Sequence, residues 1–470
     1  MRGLPTAENL REACMADSVA RNRLKSLFDA DTFVELGAYT KRQFCEFVST
    51  EKTEEFEGVV CGYGAINGAR AFAFAQDPAR MKGAIDARHA KKICDIYDLA
   101  IKTGSPIVAI FDSAGADVFE GVSALAGYAS IMRAVSDASG VIPQIAVIGG
   151  LCLGSLAALA AMYDFVITPK SSSLYVTSPS LLDKKAEEWK PLSSEETESL
   201  EVALGEARRL IEFLPANASM ELLPEESADS LNRTLGNLDF EGDALAAIGA
   251  IADHGIYHEV GAALAPEFVT ALLQIGGIKC GICASSYKQD EGRLTAAAAR
   301  KAARFIDVCD AFGLPIVTLA DSAGLSKTDA SENLSFASDL AKLASAYATA
   351  TVPKVTVIMG HAIGASYVLL GAKALGADIA YALENSEIGA LAADDAVAFA
   401  WNNKVKCDED RKSLAEEWKA SVASPVAAAS SGEIDDIISV DELRQRICTS
   451  LHLLASKGSA DSYRHAVRPL

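Results

Sequence analysis

The sequence predicts an α/β protein of two tandem domains that descend from one by internal duplication, and three observations carry this. The run from Gly104-Ser105-Pro106 to Asp112-Ser113-Ala114-Gly115 returns as Gly313-Leu314-Pro315 to Asp321-Ser322-Ala323-Gly324, a constant offset of 209. Ile66-Asn67-Gly68 aligns with Ile275-Gly276-Gly277 at the same offset, and Val141 to Gly150 with Thr351 to Gly360 at an offset of 210. The chain of 470 residues is 50% hydrophobic but only 7% aromatic, a balance that suits buried parallel strands between helices. In each copy, moreover, an apolar strand runs through small residues into an apolar helix. Such a duplication points to two related pockets, with domains expected at 1–235 and 236–470.

The elements follow in order. Residues 1 to about 30 read as an opening helix, with Arg21, Arg23 and Lys25 beside Leu24 and Leu27, ending at Asp29-Ala30-Asp31. A strand from Phe33 to Leu36 follows, its counterpart Tyr257 to Val260 preceded by a matching helix over Ile248 to Ala252. After a polar loop from Lys41 to Phe56, strands at Val59 to Ala65 and Ala69 to Ala75 flank Asn67-Gly68, a hairpin signature. Helical periodicity through Ile93, Tyr97 and Ala100 predicts a helix over Ala87 to Thr103, which Gly104 ends and Pro106 follows with the strand Ile107 to Phe111. Ala296 to Phe312, Gly313 and Pro315 repeat the unit. The charged stretch from Asp183 to Glu241 holds the interdomain linker and the only long stretch without a repeat partner.

Composition also excludes function classes. A net charge of −20 argues against a nucleic-acid partner, because phosphate recognition needs clustered Lys and Arg. The ten cysteines lie mostly in apolar stretches, as reduced buried thiols do, and Cys280 and Cys283 read as core residues of one strand. Met1 to Ala20 has no apolar core like that of a secretory signal, so the chain reads as cytoplasmic. Ala138 to Tyr163 lacks charge over the length of a membrane span, but Pro143, Gly149-Gly150, Gly154 and Ser155 interrupt it. Strand, turn and helix is the expectation there.

The residues that point to chemistry are two small-residue turns in register, Gly150 to Leu156 and Gly360 to Ser366. Each follows a strand and opens a helix, where the first amides lack intrahelical acceptors and point outward. Two readings stand: tight helix-on-sheet packing, or a pair of oxyanion holes for a carbonyl that becomes an enolate. The six histidines, 89, 254, 258, 361, 452 and 465, show no ligand spacing or nucleophile motif and read as surface residues. No Walker loop is present and no GxGxxG follows a first strand. Arg80, Lys82, Arg88, Lys91 and Lys92 read equally as a solvated helix face or a phosphate-binding patch.

Taken together, these residues resemble the carboxyltransferase subunits of biotin-dependent acyl-CoA carboxylases and the related acyl-CoA decarboxylase alpha subunits, in the ClpP/crotonase superfamily. The likeness spans nearly the whole chain. It runs through Arg23-Leu24 to Glu35, Gly58 to Gly64, Gln76-Asp77, Asp112 to Val122, Ala138 to Ile145, Phe213-Leu214-Pro215, Lys301 to Phe305, Ala348 to Thr356, Gly376-Ala377-Asp378 and the closing Arg464-His465 with Pro469-Leu470. The resemblance implies two tandem crotonase-like β-β-α superhelix domains, the first binding an acyl-CoA and the second the biotin of a carrier protein. It implies a ring-shaped homohexamer in which each active site joins the first domain of one subunit to the second domain of another. The biotin carboxyl carrier protein and a biotin carboxylase subunit, or membrane decarboxylase subunits, would be separate partners, since neither a biotin-attachment motif nor a carboxylase ATP-binding segment is recognised here; with the latter partners the chain would sit peripheral to a membrane complex.

Position by position, the resemblance puts the acyl-CoA oxyanion turn on Gly154 and Ser155 and the biotin-side turn on Ala365 and Ser366. Gly115, Ala116, Cys152, Gly364, Tyr367 and Val368 become candidate substrate-binding residues. Three departures stand out: Asp117 where Arg is common, Ala323-Gly324-Leu325 for Pro-Gly-Phe, and Val368 where propionyl-CoA carboxylases commonly have Asp. The implied reaction moves a carboxyl group between carrier biotin and a short acyl-CoA, either acetyl-CoA/malonyl-CoA or propionyl-CoA/methylmalonyl-CoA, in a direction the sequence leaves open. Two alternatives remain: a crotonase-type hydratase or isomerase, for which only Glu120 is near the first turn, and a non-catalytic assembly paralogue.

Overall fold

The computed structural model describes residues 18–42, 56–177, 195–236, 238–328 and 335–457. The chain forms two compact units, the first ending at Glu221 and the second starting at Leu222, inside the charged stretch expected to hold the linker.

In the first unit, α1 (Val19–Leu27) leads to β1 (Val34–Leu36), β2 (Val59–Ile66), β3 (Ala69–Gln76), α2 (Ala87–Thr103), β4 (Ile107–Ser113), α3 (Val122–Ala138), β5 (Gln144–Leu153) and α4 (Ser155–Ala160). Then come β6 (Phe165–Pro169), β7 (Ser173–Tyr175), β8 (Glu195–Thr197) and α5 (Leu200–Phe213). The sheet runs β1-β2-β3-β4-β5-β6-β8, with β7 beside β5. Helix α2 shows why the segment folds as expected. Asp86 caps it by accepting from the His89 amide, Gly104 closes it at φ 57°, and its buried face of Ala90, Ile93, Ile96, Tyr97 and Ala100 packs on the sheet.

The second unit repeats this order. It contains α6 (Ala244–Ile251), β9 (Tyr257–Val260), β10 (Phe268–Ile275), β11 (Ile278–Ser285), α7 (Ala296–Ala311), β12 (Ile316–Ser322), α8 (Phe336–Thr349), β13 (Lys354–Ile363) and α9 (Ala365–Leu369). β14 (Ile379–Leu383) and β15 (Glu387–Gly389) precede α10 (Ala393–Ala400), α11 (Asp408–Ser421), α12 (Pro425–Ser430), β16 (Asp436–Ile438) and α13 (Leu443–Leu454). The sheet order β16-β14-β13-β12-β11-β10-β9, with β15 beside β13, mirrors the first.

The duplication reaches single hydrogen bonds. Asp29 accepts from the amides of Asn67 and Gly68 at the first hairpin turn, and Asp253 from those of Gly276 and Gly277 at the second. Arg208 on α5 braces Asp29 at 2.6 Å, and Arg444 on α13 braces Asp253 at 2.6 Å.

That equivalence corrects one expectation: part of the charged stretch does have a repeat partner, α13. The offset is no longer 209, because α10 to α12 have been inserted ahead of α13. The uncharged run from Ala138 is the strand β5, the Gly154 turn and α4, and no described helix is long and apolar enough to cross a membrane. Cys280 and Cys283 are buried on β11, and three residues apart on a strand they face opposite sides of the sheet. Burial pushes the Cys283 thiol up to about 12 and that of Cys280 well above its usual range. Residues 1–17 of the opening helix and 43–55 of the polar loop lie outside the described residues.

Candidate functional site

In each unit the site grows from a bulge. β4 and β5 stay in register to Phe111 opposite Ile148 and resume at Ser113 opposite Cys152, so β5 carries two extra residues over that interval. β12 and β13 do the same between Ala320 opposite Ile358 and Ser322 opposite Ala362. An aspartate holds each bulge. Asp112 Oδ1 accepts from the Leu151 amide at 3.0 Å, and Asp321 Oδ1 from the His361 amide at 2.8 Å. Gly150 and Gly360 must lack a side chain here, since a Cβ on either would collide with that carboxylate.

The strands then end in matching turns. Gly154 adopts φ 63°, ψ −130°, and Gly364 φ 59°, ψ −129°, a region open to glycine. The Gly154 amide donates to Tyr175 of β7 at 2.9 Å and that of Gly364 to Gly389 of β15 at 2.8 Å. The next amides, Ser155 and Ala365, open α4 and α9 and have no hydrogen-bond acceptor among the described residues.

Beside each turn lies a second amide in the same condition. Past β4, Gly115 sits at φ 121°, its carbonyl accepting from Ile85 and its amide donating to Ser113 Oγ. Past β12, Gly324 at φ 116° repeats this with Leu294 and Ser322. The following amides, Ala116 and Leu325, reach no acceptor among the described residues. Ser113 pairs with Cys152, and Ser322 with Ala362, so each loop lies beside its turn. Two neighbouring amides per unit without acceptors are groups of the kind that can hold negative charge on an oxygen. Leu325 figures in the sequence only within the departure Ala323-Gly324-Leu325 and not as a site residue, although it stands 209 residues after Ala116.

The other candidates sort by what their side chains touch. Gly364, Tyr367 and Val368 line a cavity of about 440 Å³ with Ile388, Ala390 and Val422. Tyr367 donates to Glu433 at 3.4 Å, and burial followed by that carboxylate pushes its phenol up to about 12. Cys152, by contrast, is fully buried in the core, and burial raises its thiol well above the usual range. The Ser366 hydroxyl is also buried, donating to the carbonyls of Ser322 and Ile363 and accepting from the Ile363 amide, so it fixes the turn from behind.

Several sequence expectations are corrected. His89 is fully buried, 3.3 Å from Gln76 Nε2 and 3.6 Å from Glu57, so it is not a surface histidine, and the partly exposed His361 is tied to Asp321. The basic group is not a uniformly solvated face, and most of its members are engaged within the unit while Lys82 is exposed. Lys92 is buried on the Val59 carbonyl, Arg80 and Arg88 donate to backbone carbonyls, and Lys91 pairs with Asp95. Glu120, the lone carboxylate near the first turn, accepts from the Ala87 amide at the start of α2 at 2.9 Å. Asp117 pairs with Arg42, which also reaches Asp86.

Comparison with known proteins decides the family. A carboxyl transferase domain model matches residues 12–203 and 194–468. The chain belongs to the carboxyl transferase domain family. This carboxyltransferase is 36% identical to the methylmalonyl-CoA decarboxylase subunit alpha of Veillonella parvula, over 93% of this chain and 90% of that one. It is 35% identical to a putative propionyl-CoA carboxylase beta chain of Bacillus subtilis, with the same coverage. Transcarboxylase 12S, solved with hydrolysed methylmalonyl-CoA bound and described as a hexamer, superposes with a TM-score of 0.90 at 29% identity over 98% of this chain and 94% of that one. The paired sheets are therefore the tandem crotonase-like fold, and the enzyme is an acyl-CoA carboxyltransferase by class.

Proposed function

We propose that this carboxyltransferase moves a carboxyl group between methylmalonyl-CoA and biotin on a separate carrier protein, with propionyl-CoA as the decarboxylated partner, and that Ala116, Ser155, Leu325 and Ala365 supply the backbone donors. The observation that carries this reading is the repeated pair of unsatisfied amides at the end of a clamped bulge. Loss of carbon dioxide from a carboxyacyl thioester leaves an enolate, whose oxygen is stabilised by the amides of Ala116 and Ser155. Donors fixed in advance make no reorganisation at the moment of reaction, and one such donor contributes roughly 10²–10³-fold in rate. The donor at 155 is a backbone amide, so the serine side chain does not remove it.

The cavity beside Gly364 suits a neutral bicyclic urea: Val368, Ile388 and Val422 offer apolar walls, and the Ala365 amide, which has no acceptor among the described residues, follows Gly364 directly in the chain. Biotin, when bound there on its carrier, accepts or delivers the carboxyl group. Tyr367 and Val368 hold the ring system, and the amides of Leu325 and Ala365 stabilise negative charge on its oxygen. Transfer needs both holes within reach of one carboxyl group, a requirement we assign to a homohexamer like that described for transcarboxylase 12S.

The test is incubation of the purified protein with methylmalonyl-CoA, and separately malonyl-CoA, with a biotinylated carrier domain, followed by mass spectrometry of the CoA products. Biotin-dependent formation of propionyl-CoA is expected. Absence of transfer from either donor in a folded, oligomeric protein would replace this reading with that of an assembly paralogue.

A further inference from the structure

The two units differ behind the bulge. In the first, Arg23 on α1 sets Nη1 2.8 Å from Asp112 Oδ2 and donates from Nη2 to the Gly149 carbonyl at 2.9 Å. Helix α6 repeats α1 residue for residue: the clamps Asp29 and Asp253 correspond, as do Leu36 opposite Cys61 and Val260 opposite Thr270. Counting back along that register puts Ala247 where Arg23 stands, while Asp321 and Met359 take the places of Asp112 and Gly149.

Where the guanidinium would lie there is a cavity of about 430 Å³, lined by Ala247, Asp321 and Met359, with the exposed Asp239, Glu241 and Glu384 around it. Asp321 is only 9% exposed, and its Oδ1 is engaged by His361. Among the described residues no donor is bonded to its Oδ2, the oxygen that in Asp112 faces Arg23. No Lys, Arg or His is among the described residues that line the cavity, and it shares none of them with the cavity beside Gly364.

We propose that this cavity is a binding site for a small alkylguanidinium compound, which takes up in the second unit the acceptors that Arg23 satisfies in the first. A guanidinium can face a carboxylate with one nitrogen while donating to an adjacent carbonyl with another, as Arg23 does in the first unit, where Nη1 pairs ionically with Asp112 and Nη2 donates to the Gly149 carbonyl. The volume is that of a small-molecule pocket and exceeds the needs of a bare ion. The surrounding carboxylates raise the local concentration of cations and favour a second positive group at the far end of the ligand. An occupant would bear on the Asp321 carboxylate and so on the bulge that leads to Gly364.

The test is calorimetric titration of the full chain with methylguanidine and with agmatine at constant ionic strength, against potassium and tetramethylammonium. One site per chain is expected, at least tenfold tighter for the guanidinium compounds than for either control. Ala247→Arg, which supplies the guanidinium from the chain, and Ala247→Met, which fills the space without charge, should each abolish it. Should either variant misfold, the exposed Glu384→Gln decides, with agmatine affinity expected to fall several-fold. Lack of saturable binding, equal binding of potassium, or retained binding in a folded Ala247 variant overturns the proposal.

Discussion

Asp321 Oδ1 accepts from the main-chain amide of His361 at 2.8 Å and lies 2.9 Å from the same residue's Nδ1, while the imidazole stacks on Tyr287 at 4.1 Å. One carboxylate thereby fixes both backbone and side chain at the bulge that delivers Gly364 and Ala365. In the first unit Asp112 holds the Leu151 amide alone, and Arg23 supplies the cation from a different helix. The two units reach one backbone geometry with different side-chain partners on the aspartate.

The Asp112 and Arg23 side chains are 9% and 14% exposed, so removing either leaves the other charge without a partner in a poorly solvated place. Arg23→Ala and Asp112→Asn are each expected to destabilise the first unit by about 3–5 kcal/mol. The double variant should cost clearly less than the two together, as read from urea unfolding in a double-mutant cycle. Additive losses would show that the pair does not act as a unit.

Gly150→Ala and Gly360→Ala test the clamp from the other side. The new Cβ at 360 would lie 2.6 Å from Asp321 Oδ1, so the carboxylate must leave its amide partner. Both variants are expected to lose carboxyl transfer and to melt at lower temperature. Wild-type kcat in either would remove the bulge from the catalytic argument.

Ser155→Ala keeps the backbone amide, and its kcat should stay within a few-fold of the parent. Gly154→Ala is different: no atom lies within 4 Å of the added Cβ, so its cost is torsional, from φ 63° and ψ −130°. About 1–3 kcal/mol of strain is expected, relieved by turning the Ser155 amide away. The measurable result is a kcat lower by roughly 10²-fold with a smaller change in KM, since the donor acts on charge in the transition state.

Lys301 on α7 is buried and donates to the carbonyls of Leu264 and Phe268 at 2.9 and 2.7 Å. Burial pulls its ammonium from the ordinary 10.5 down to about 8, against the opposing pull of Glu259 and Glu267. The unfolded chain therefore holds this proton more tightly, and the penalty is full below about pH 8 and gone above 10.5. Relative to Lys301→Met, the wild-type protein should gain up to roughly 3 kcal/mol as pH rises through that window, measured by urea unfolding at several pH values. A difference that stays flat with pH would refute the assignment.

Much of this was open to reading without coordinates. Asn67-Gly68 announced a hairpin because positive φ at consecutive turn positions leaves few residues to choose from, and its repeat partner Gly276-Gly277 makes the same turn. Helix α2 was bounded correctly because Asp86 and Gly104 act locally on the helix ends. The glycine turns at 154 and 364 showed in the repeat itself. Harder to see were Asp112 and Asp321, which look like interchangeable parts of a repeated strand until the bulge brings the amides of Leu151 and His361, some forty residues away, to their carboxylates. The burial of His89 and Lys92 was missed because both depend on partners contributed by other strands.

By itself, then, the sequence determined the duplication, the alternation of strands and helices, the turns and the carboxyl transferase family, since all of these rest on local backbone preference and on residue types repeated in order. Only the tertiary structure decided which amides are left without acceptors, which charges find partners, and that Ala247 leaves a cavity where Arg23 fills one. Those outcomes depend on distances between segments far apart in the chain, and a hydrogen bond or an ion pair is made or lost within an ångström.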